Sequence, residues 1–337
     1  MEEKRVEEIE IEDLPEEVKP VKSRAWLHIL LIVLVATLLG ILGYRVYKWN
    51  KGIEDDTDVS IINHDYDVEC MDYILPADPH ALEGREDDGV TTVVCLGNSP
   101  FSDDYGKEDN LANLIEKELG ENAKVYNCSM DGSIMACAKE SLGLEYAYDA
   151  FSLYWLSTVI ALENDEAING IADACAPSEQ IKESLALLES IDFDKVDVIA
   201  IMYDATEFYW NMRIIDPDND TNIRYITGAL AASIQLIQEY LPHVRIMVMS
   251  PTFAYMVNED GSYDDPDKFV NTYGSLATYA IKIGDTAYEN SVSYIDNYYG
   301  SVNALNADQY LADNIHLNVE GRKLIAKRFV DCLRKYE

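Results

Sequence analysis

The chain is 337 residues long, enough for one large domain or two modest ones, and 48% of it is hydrophobic, so a sizeable core can form. Its formal charge is −36, with 62 Asp and Glu against 26 Lys and Arg. A phosphate backbone would be repelled by that balance, so no nucleic-acid partner is expected. The acidity runs along the whole sequence, as a solvated surface does.

Residues 1–24 are charged and lack periodic apolar spacing, and read as a tail. Ala25 to Tyr44 is then a run of 20 residues whose one ionisable member is His28. At the helical rise that length crosses a hydrocarbon core of about 30 Å. Trp26 and Tyr44 stand at its ends, as interfacial aromatics do. A single transmembrane helix is therefore expected over 25–45, without the short apolar core and small-residue cleavage site of a signal peptide. Lys4, Arg5, Lys19, Lys22 and Arg24 precede the span and Arg45, Lys48 and Lys51 follow it, which favours a cytoplasmic N-terminus with the large C-terminal domain outside the cell membrane. Residues 46–89 are acidic, broken by Pro76 and Pro79, and read as a linker. Short pieces of it such as Tyr73-Ile74-Leu75 are apolar enough to pack on a domain.

From Val90 the pattern alternates. Val90 to Leu96 is β-branched, apolar and ends at Gly97, the mark of a buried strand. Leu111, Leu114, Ile115 and Leu119 share a helix face closed by Gly120. Lys124 to Asn127 predicts a second strand, and two or three helices follow over roughly 134–164 and 178–190. Val196 to Met202 is almost wholly apolar, as central parallel strands are. A helix is predicted over 222–241, a strand over Val244 to Met249, a helix near 267–288, a strand over Ser291 to Ile295, and a last helix carrying Leu324, Ile325, Phe329 and Leu333. This order predicts one α/β domain over 90–337, a doubly wound parallel five-stranded sheet flanked by helices.

The chemistry-bearing residues fall at predicted strand ends. Ser99 lies just past the first strand, where open α/β sheets collect ligands and catalytic groups. On position alone it is either a nucleophile or a turn residue. Of five histidines, His316 is the one placed in a strand-to-helix loop of the domain, three residues after Asp313. A chain that turns between them brings the carboxylate to one ring nitrogen and leaves the other to accept a hydroxyl proton, and the same pair can instead cap the following helix. The six cysteines at 70, 95, 128, 137, 175 and 332 form no C-x-x-C pair and no zinc spacing. Asp216-Pro217-Asp218-Asn219-Asp220 starts like a calcium loop but lacks the glycine at the sixth position and the closing glutamate. No phosphate loop or dinucleotide fingerprint is present, so neither metal nor cofactor is expected.

Gly97-Asn98-Ser99 resembles the Gly-Asp-Ser block of the SGNH, or GDSL, hydrolases, and Asp313-Asn314-Ile315-His316, with Leu317-Asn318 and Gly321 after it, is similar to their closing Asp-x-x-His block. Asn127-Cys128-Ser129-Met130-Asp131-Gly132-Ser133 is similar to the second block, which supplies a glycine amide to the oxyanion. The resemblance implies an SGNH-like fold and a serine esterase in which Ser99 attacks an ester carbonyl, His316 takes the proton and Asp313 orients the imidazole. The amides of Ser99 and Gly132 would face the oxyanion. The third block departs from the family, since Ile201-Met202-Tyr203-Asp204 stands where Gly-x-Asn-Asp is expected. Tyr203 then holds the place of the Asn donor, either offering its hydroxyl or packing in the core. The reading is a membrane-anchored esterase acting on O-acyl groups of an envelope glycan. An O-acyltransferase on a surface polymer, or an inactive binding module on the same fold, are its alternatives.

Overall fold

The computed structural model describes residues 30, 33–37, 39–40, 70–83, 88–142 and 144–336. The tail over 1–24 and most of the expected span over 25–45 lie outside the described residues. Of that span, Leu30, residues 33–37 and residues 39–40 are helical. Among the described residues no helix is long and apolar enough to cross a membrane.

Asp67–Glu337 forms one compact unit. At its centre is a five-stranded, all-parallel sheet in the order β2-β1-β3-β4-β7. The strands are β1 (Thr91–Gly97), β2 (Ala123–Asn127), β3 (Val198–Met202), β4 (Arg245–Met249) and β7 (Ser293–Ile295). The numbers between belong to a separate antiparallel hairpin, β5 (Met256–Val257) and β6 (Tyr263–Asp264). All five β3 residues are buried and so are the last six of β1, because strands with helices on both faces have no wet side. Fully burying each such valine or isoleucine stabilises the fold by about 1.5–3 kcal/mol.

Seven helices of nine residues or more are described: α1 (Leu111–Leu119), α2 (Leu153–Leu162), α3 (Asp165–Cys175), α4 (Glu179–Glu189), α5 (Ile226–Tyr240), α6 (Leu276–Glu289) and α7 (Val319–Leu333). Four of them, α1, α4, α6 and α7, start at side-chain caps. The Asn110 side chain accepts from the Ala112 amide, Ser275 from Thr278 and Asn318 from Gly321. The expected helix near 267–288 is shortened accordingly, beginning at Leu276 after Gly274 with φ +141.

Two further segments differ from expectation. Residues 134–142, read as helical, are irregular, and a 3₁₀ stretch occupies Leu144–Phe151. Carboxylates compete with the helix ladder there: Glu207 accepts the Met135 and Ala136 amides at 3.0 and 2.9 Å, and Asp149 accepts those of Ala138 and Lys139 at 2.8 and 2.9 Å. Part of the expected linker also packs on the sheet. Tyr73 bridges Tyr294 through paired backbone bonds of 2.9 and 2.6 Å, Ile74 is 5% exposed, and Arg328 holds Asp72 at 2.7 Å.

Candidate active site

The site assembles at the carboxyl edge of the sheet, where β1 and β3 lie side by side with Gly97 opposite Met202. Gly97 has φ +148, and a Cβ there would collide with the Met202 carbonyl. The chain then turns sharply through Asn98 into a single helical turn, Ser99–Ser102, with Ser99 at its first position. Asn110 and Asn127 lock this turn from outside. Their side-chain amides donate to the Phe101 carbonyl at 2.5 and 2.8 Å, and Asn110 also reaches the Asp103 carbonyl at 2.9 Å.

Ser99 is 6% exposed, and its hydroxyl donates to Asp204 Oδ2. Among the described residues that is the bond the hydroxyl makes, in place of one to His316. Asp204 is itself held by a reciprocal pair with Asn98. The Asn98 Nδ2 donates to Asp204 Oδ1 at 2.9 Å, and the Asp204 amide donates to Asn98 Oδ1 at 2.9 Å. The Thr206 amide adds a second donor to Oδ1 at 2.9 Å.

Gly132 lies in the loop after β2, which stays alongside β1 because the Met130 amide donates to the Gly97 carbonyl at 2.9 Å. Gln180 on α4 braces the loop, giving its amide to the Ser129 carbonyl at 2.8 Å and accepting from the Asp131 amide at 3.0 Å. Gly132 has φ +73, which suits a residue without a side chain. Among the described residues, the amides of Ser99 and Gly132 donate to no protein acceptor.

Tyr203 points the other way. It is 2% exposed and its hydroxyl lies 3.3 Å from Ser133 Oγ, which donates to the Phe151 carbonyl at 2.5 Å. Burial pushes its phenol pKa well up. The residue therefore packs beneath the Gly132 loop. The side chain of this block that reaches Ser99 is Asp204, because successive side chains at a strand end point to opposite faces.

Asp313 and His316 occupy a tight loop closed by an antiparallel bridge between Leu311 and Leu317. His316 Nδ1 is 2.7 Å from Asp313 Oδ2, and both side chains are nearly half exposed. Burial alone would lower the His316 pKa, but the Asp313 hydrogen bond and the charges of Asp103, Asp313 and Asp204 outweigh it and raise it. Burial pushes Asp103 up to about 6, against the pull of His316 and Arg322. The Asn314 carbonyl accepts the Tyr255 amide at 2.7 Å, tying this loop to the β5–β6 hairpin.

Two contributors escaped the sequence reading. One is the Asp204–Ser99 contact. The other is Arg322 on α7, 3% exposed, whose guanidinium donates to Asp104 Oδ2 at 2.8 Å, to the Asp109 carbonyl at 2.9 Å and to the Leu317 carbonyl at 3.2 Å. It clamps the segment after the serine turn to the histidine loop. Its i+4 distance from Asn318, a helix cap, was the available signal. Among the described residues, no group of three His, Cys, Asp or Glu side chains is placed to hold a metal ion.

No family profile and no curated protein matches this chain. Solved structures do. One crystal structure superposes with a TM-score of 0.53 at 19% identity, covering 74% of this chain and 99% of that one. A possible lipase from Chitinophaga pinensis gives 0.48 at 12% identity, over 72% of this chain and 98% of that one. A member of the lipolytic G-D-S-L family from Veillonella parvula gives 0.40 at 14% identity, over 74% and 100%. At such identities the likeness concerns fold. The chain resembles the SGNH, or GDSL, hydrolases in its sequence blocks, and its five-stranded parallel sheet flanked by helices is the kind of fold that resemblance implies.

Proposed function

We propose that the domain is a serine esterase of SGNH type acting on O-acyl esters. The observation that carries this reading is the arrangement at one sheet edge. A serine stands at the start of a helical turn, two backbone amides without acceptors lie on the adjoining turns, and a histidine is oriented by a carboxylate. Ser99 Oγ attacks the ester carbonyl and its proton passes to His316 Nε2. Asp313 stabilises the imidazolium, and the Ser99 and Gly132 amides receive the oxyanion. His316 then returns the proton to the departing alkoxide, and water releases the acyl group by the same steps in reverse order. We further propose, from the sequence, that the apolar stretch over 25–45 anchors the domain to the cell membrane with its site outside, near envelope glycans that carry O-acyl groups.

The test is covalent labelling of the full-length protein and its Ser99→Ala variant with a fluorophosphonate, alongside hydrolysis of p-nitrophenyl acetate. Labelling and turnover that vanish in Ser99→Ala are expected, and a folded wild-type protein that shows neither overturns the reading. Protease added to intact cells should digest the C-terminal domain, and full protection overturns the orientation. One observation favours a second reading, a binding module that keeps the fold without turnover: the Ser99 hydroxyl is engaged by Asp204.

A further inference from the structure

We propose that Asp204 is a catalytic residue that restrains the site, placing a carboxylate where the oxyanion requires a donor, so that replacing one oxygen of that side chain by NH₂ accelerates ester cleavage. The inference rests on the serine-esterase reading and concerns a residue that touches the nucleophile itself.

Asp204 Oδ1 is fixed by two donors, Asn98 Nδ2 and the Thr206 amide, each at 2.9 Å. The reciprocal bond from the Asp204 amide to Asn98 Oδ1 at 2.9 Å fixes the Asn98 amide as well, so the carboxylate cannot swivel without breaking both bonds to Oδ1. Oδ2 is therefore aimed at Ser99 Oγ. When Ser99 attacks, the carbonyl carbon bonds to Oγ and the carbonyl oxygen takes the electron pair, one bond further out. A carboxylate in contact with Oγ then faces that new anion at close range in a site largely closed to water. Ser99 and Asp204 are 6% and 9% exposed. The repulsion opposes the transition state that the Ser99 and Gly132 amides favour.

Asp204 acts against the ground state too. By accepting the Ser99 proton it orients the hydroxyl toward itself, and that bond must break before His316 receives the proton. Its surroundings add little positive charge. Asp103 on the neighbouring turn and the buried Glu207 below share its sign, while His316 opposes it.

An asparagine at 204 inverts each of these effects. Its Oδ1 keeps the two donors that Asp204 Oδ1 has now, because the flipped amide would set NH₂ against Asn98 Nδ2 and the Thr206 amide. Its Nδ2 must then face Ser99 and the oxyanion. One oxyanion donor contributes about 10²–10³ in rate.

The experiment compares wild type, Asp204→Asn, Asp204→Ala and Asp204→Asn with Ser99→Ala as full-length proteins, reading kcat and KM for p-nitrophenyl acetate, fluorophosphonate labelling and melting temperature. Asp204→Asn should raise kcat at least about tenfold. Asp204→Ala, which removes the charge without supplying a donor, should rise less, and the double variant should be inactive. Damage to the fold cannot imitate a gain of this kind. A folded Asp204→Asn no faster than a labelled, active wild type overturns the inference and leaves the esterase reading standing. If Asp204→Asn does not fold, Asp204→Ala decides, and no gain there is equally fatal. Absence of labelling and turnover in the folded wild type overturns the esterase reading and this inference with it.

Discussion

His316 Nδ1 lies 2.7 Å from Asp313 Oδ2, while the other oxygen of the same carboxylate accepts the Ile315 and His316 amides at 2.9 and 2.8 Å. One side chain thus shapes the turn and orients the ring, so the tautomer with a proton on Nδ1 is the one presented. These bonds hold the Asp313 pKa below its ordinary value, although burial alone would raise it.

A base must be neutral to accept the serine proton. The His316 pKa is raised, burial notwithstanding, by Asp313, Asp103 and Asp204, so esterase kcat/KM should climb with pH through an inflection above the ordinary histidine value. Asp313→Asn should move that inflection down and lower kcat by up to about 10⁴. A pH–rate profile with an unmoved inflection would show that Asp313 serves the turn alone.

Arg322 should matter to both stability and rate. It is buried, and its partners Asp104 and Leu317 lie on the serine and histidine sides of the site. Arg322→Met strands two carbonyls and a carboxylate, a loss of about 2–4 kcal/mol in denaturant unfolding. Arg322→Lys keeps the charge without the fork that reaches three acceptors, and should recover less than half of the loss.

The turns that carry Ser99 and Gly132 were legible in the sequence because each follows a short apolar strand, and the loop of Asp313 and His316 because it precedes a strongly periodic last helix. Asp204 was visible as a residue of the third block but not as the partner of Ser99. That contact exists because β1 and β3 are neighbours with Gly97 opposite Met202, which sets Ser99 and Asp204 each two residues beyond the pair. Pairing between strands so distant in sequence leaves no periodic trace. The 134–142 segment was misread for a related reason. Its apolar residues suit a helix, while the groups that unwind it, Glu207 and Asp149, act through tertiary bonds.

The segment before β1 provides a further check. A chain beginning at Val90 lacks Tyr73, Ile74 and Asp72, and with them the bridge to Tyr294, a buried side chain and the Arg328 ion pair. It should be less stable than one beginning at Asp67 by about 2–4 kcal/mol. Equal midpoints of urea unfolding would mean that the segment merely rests on the surface.

Glu207 makes the fold sensitive to pH from within. It is 4% exposed, and burial pushes its pKa up to about 7 from 4.5, outweighing the Ala136 and Met135 amides, while Asp204 adds to the rise. A carboxyl whose folded pKa lies above its unfolded value contributes stability that is fully present below the unfolded pKa and is lost as pH rises through the folded one. The window therefore runs from 4.5 to about 7, and the loss across it is on the order of 3 kcal/mol. Glu207→Gln keeps an acceptor oxygen for both amides and cannot ionise. Its melting temperature should exceed that of wild type at pH 8, and the gap should narrow as the pH falls toward 5. A gap independent of pH would assign the effect to packing, and a less stable Gln variant at pH 8 would mean that the ionised carboxylate holds the 134–136 loop better than a neutral side chain does.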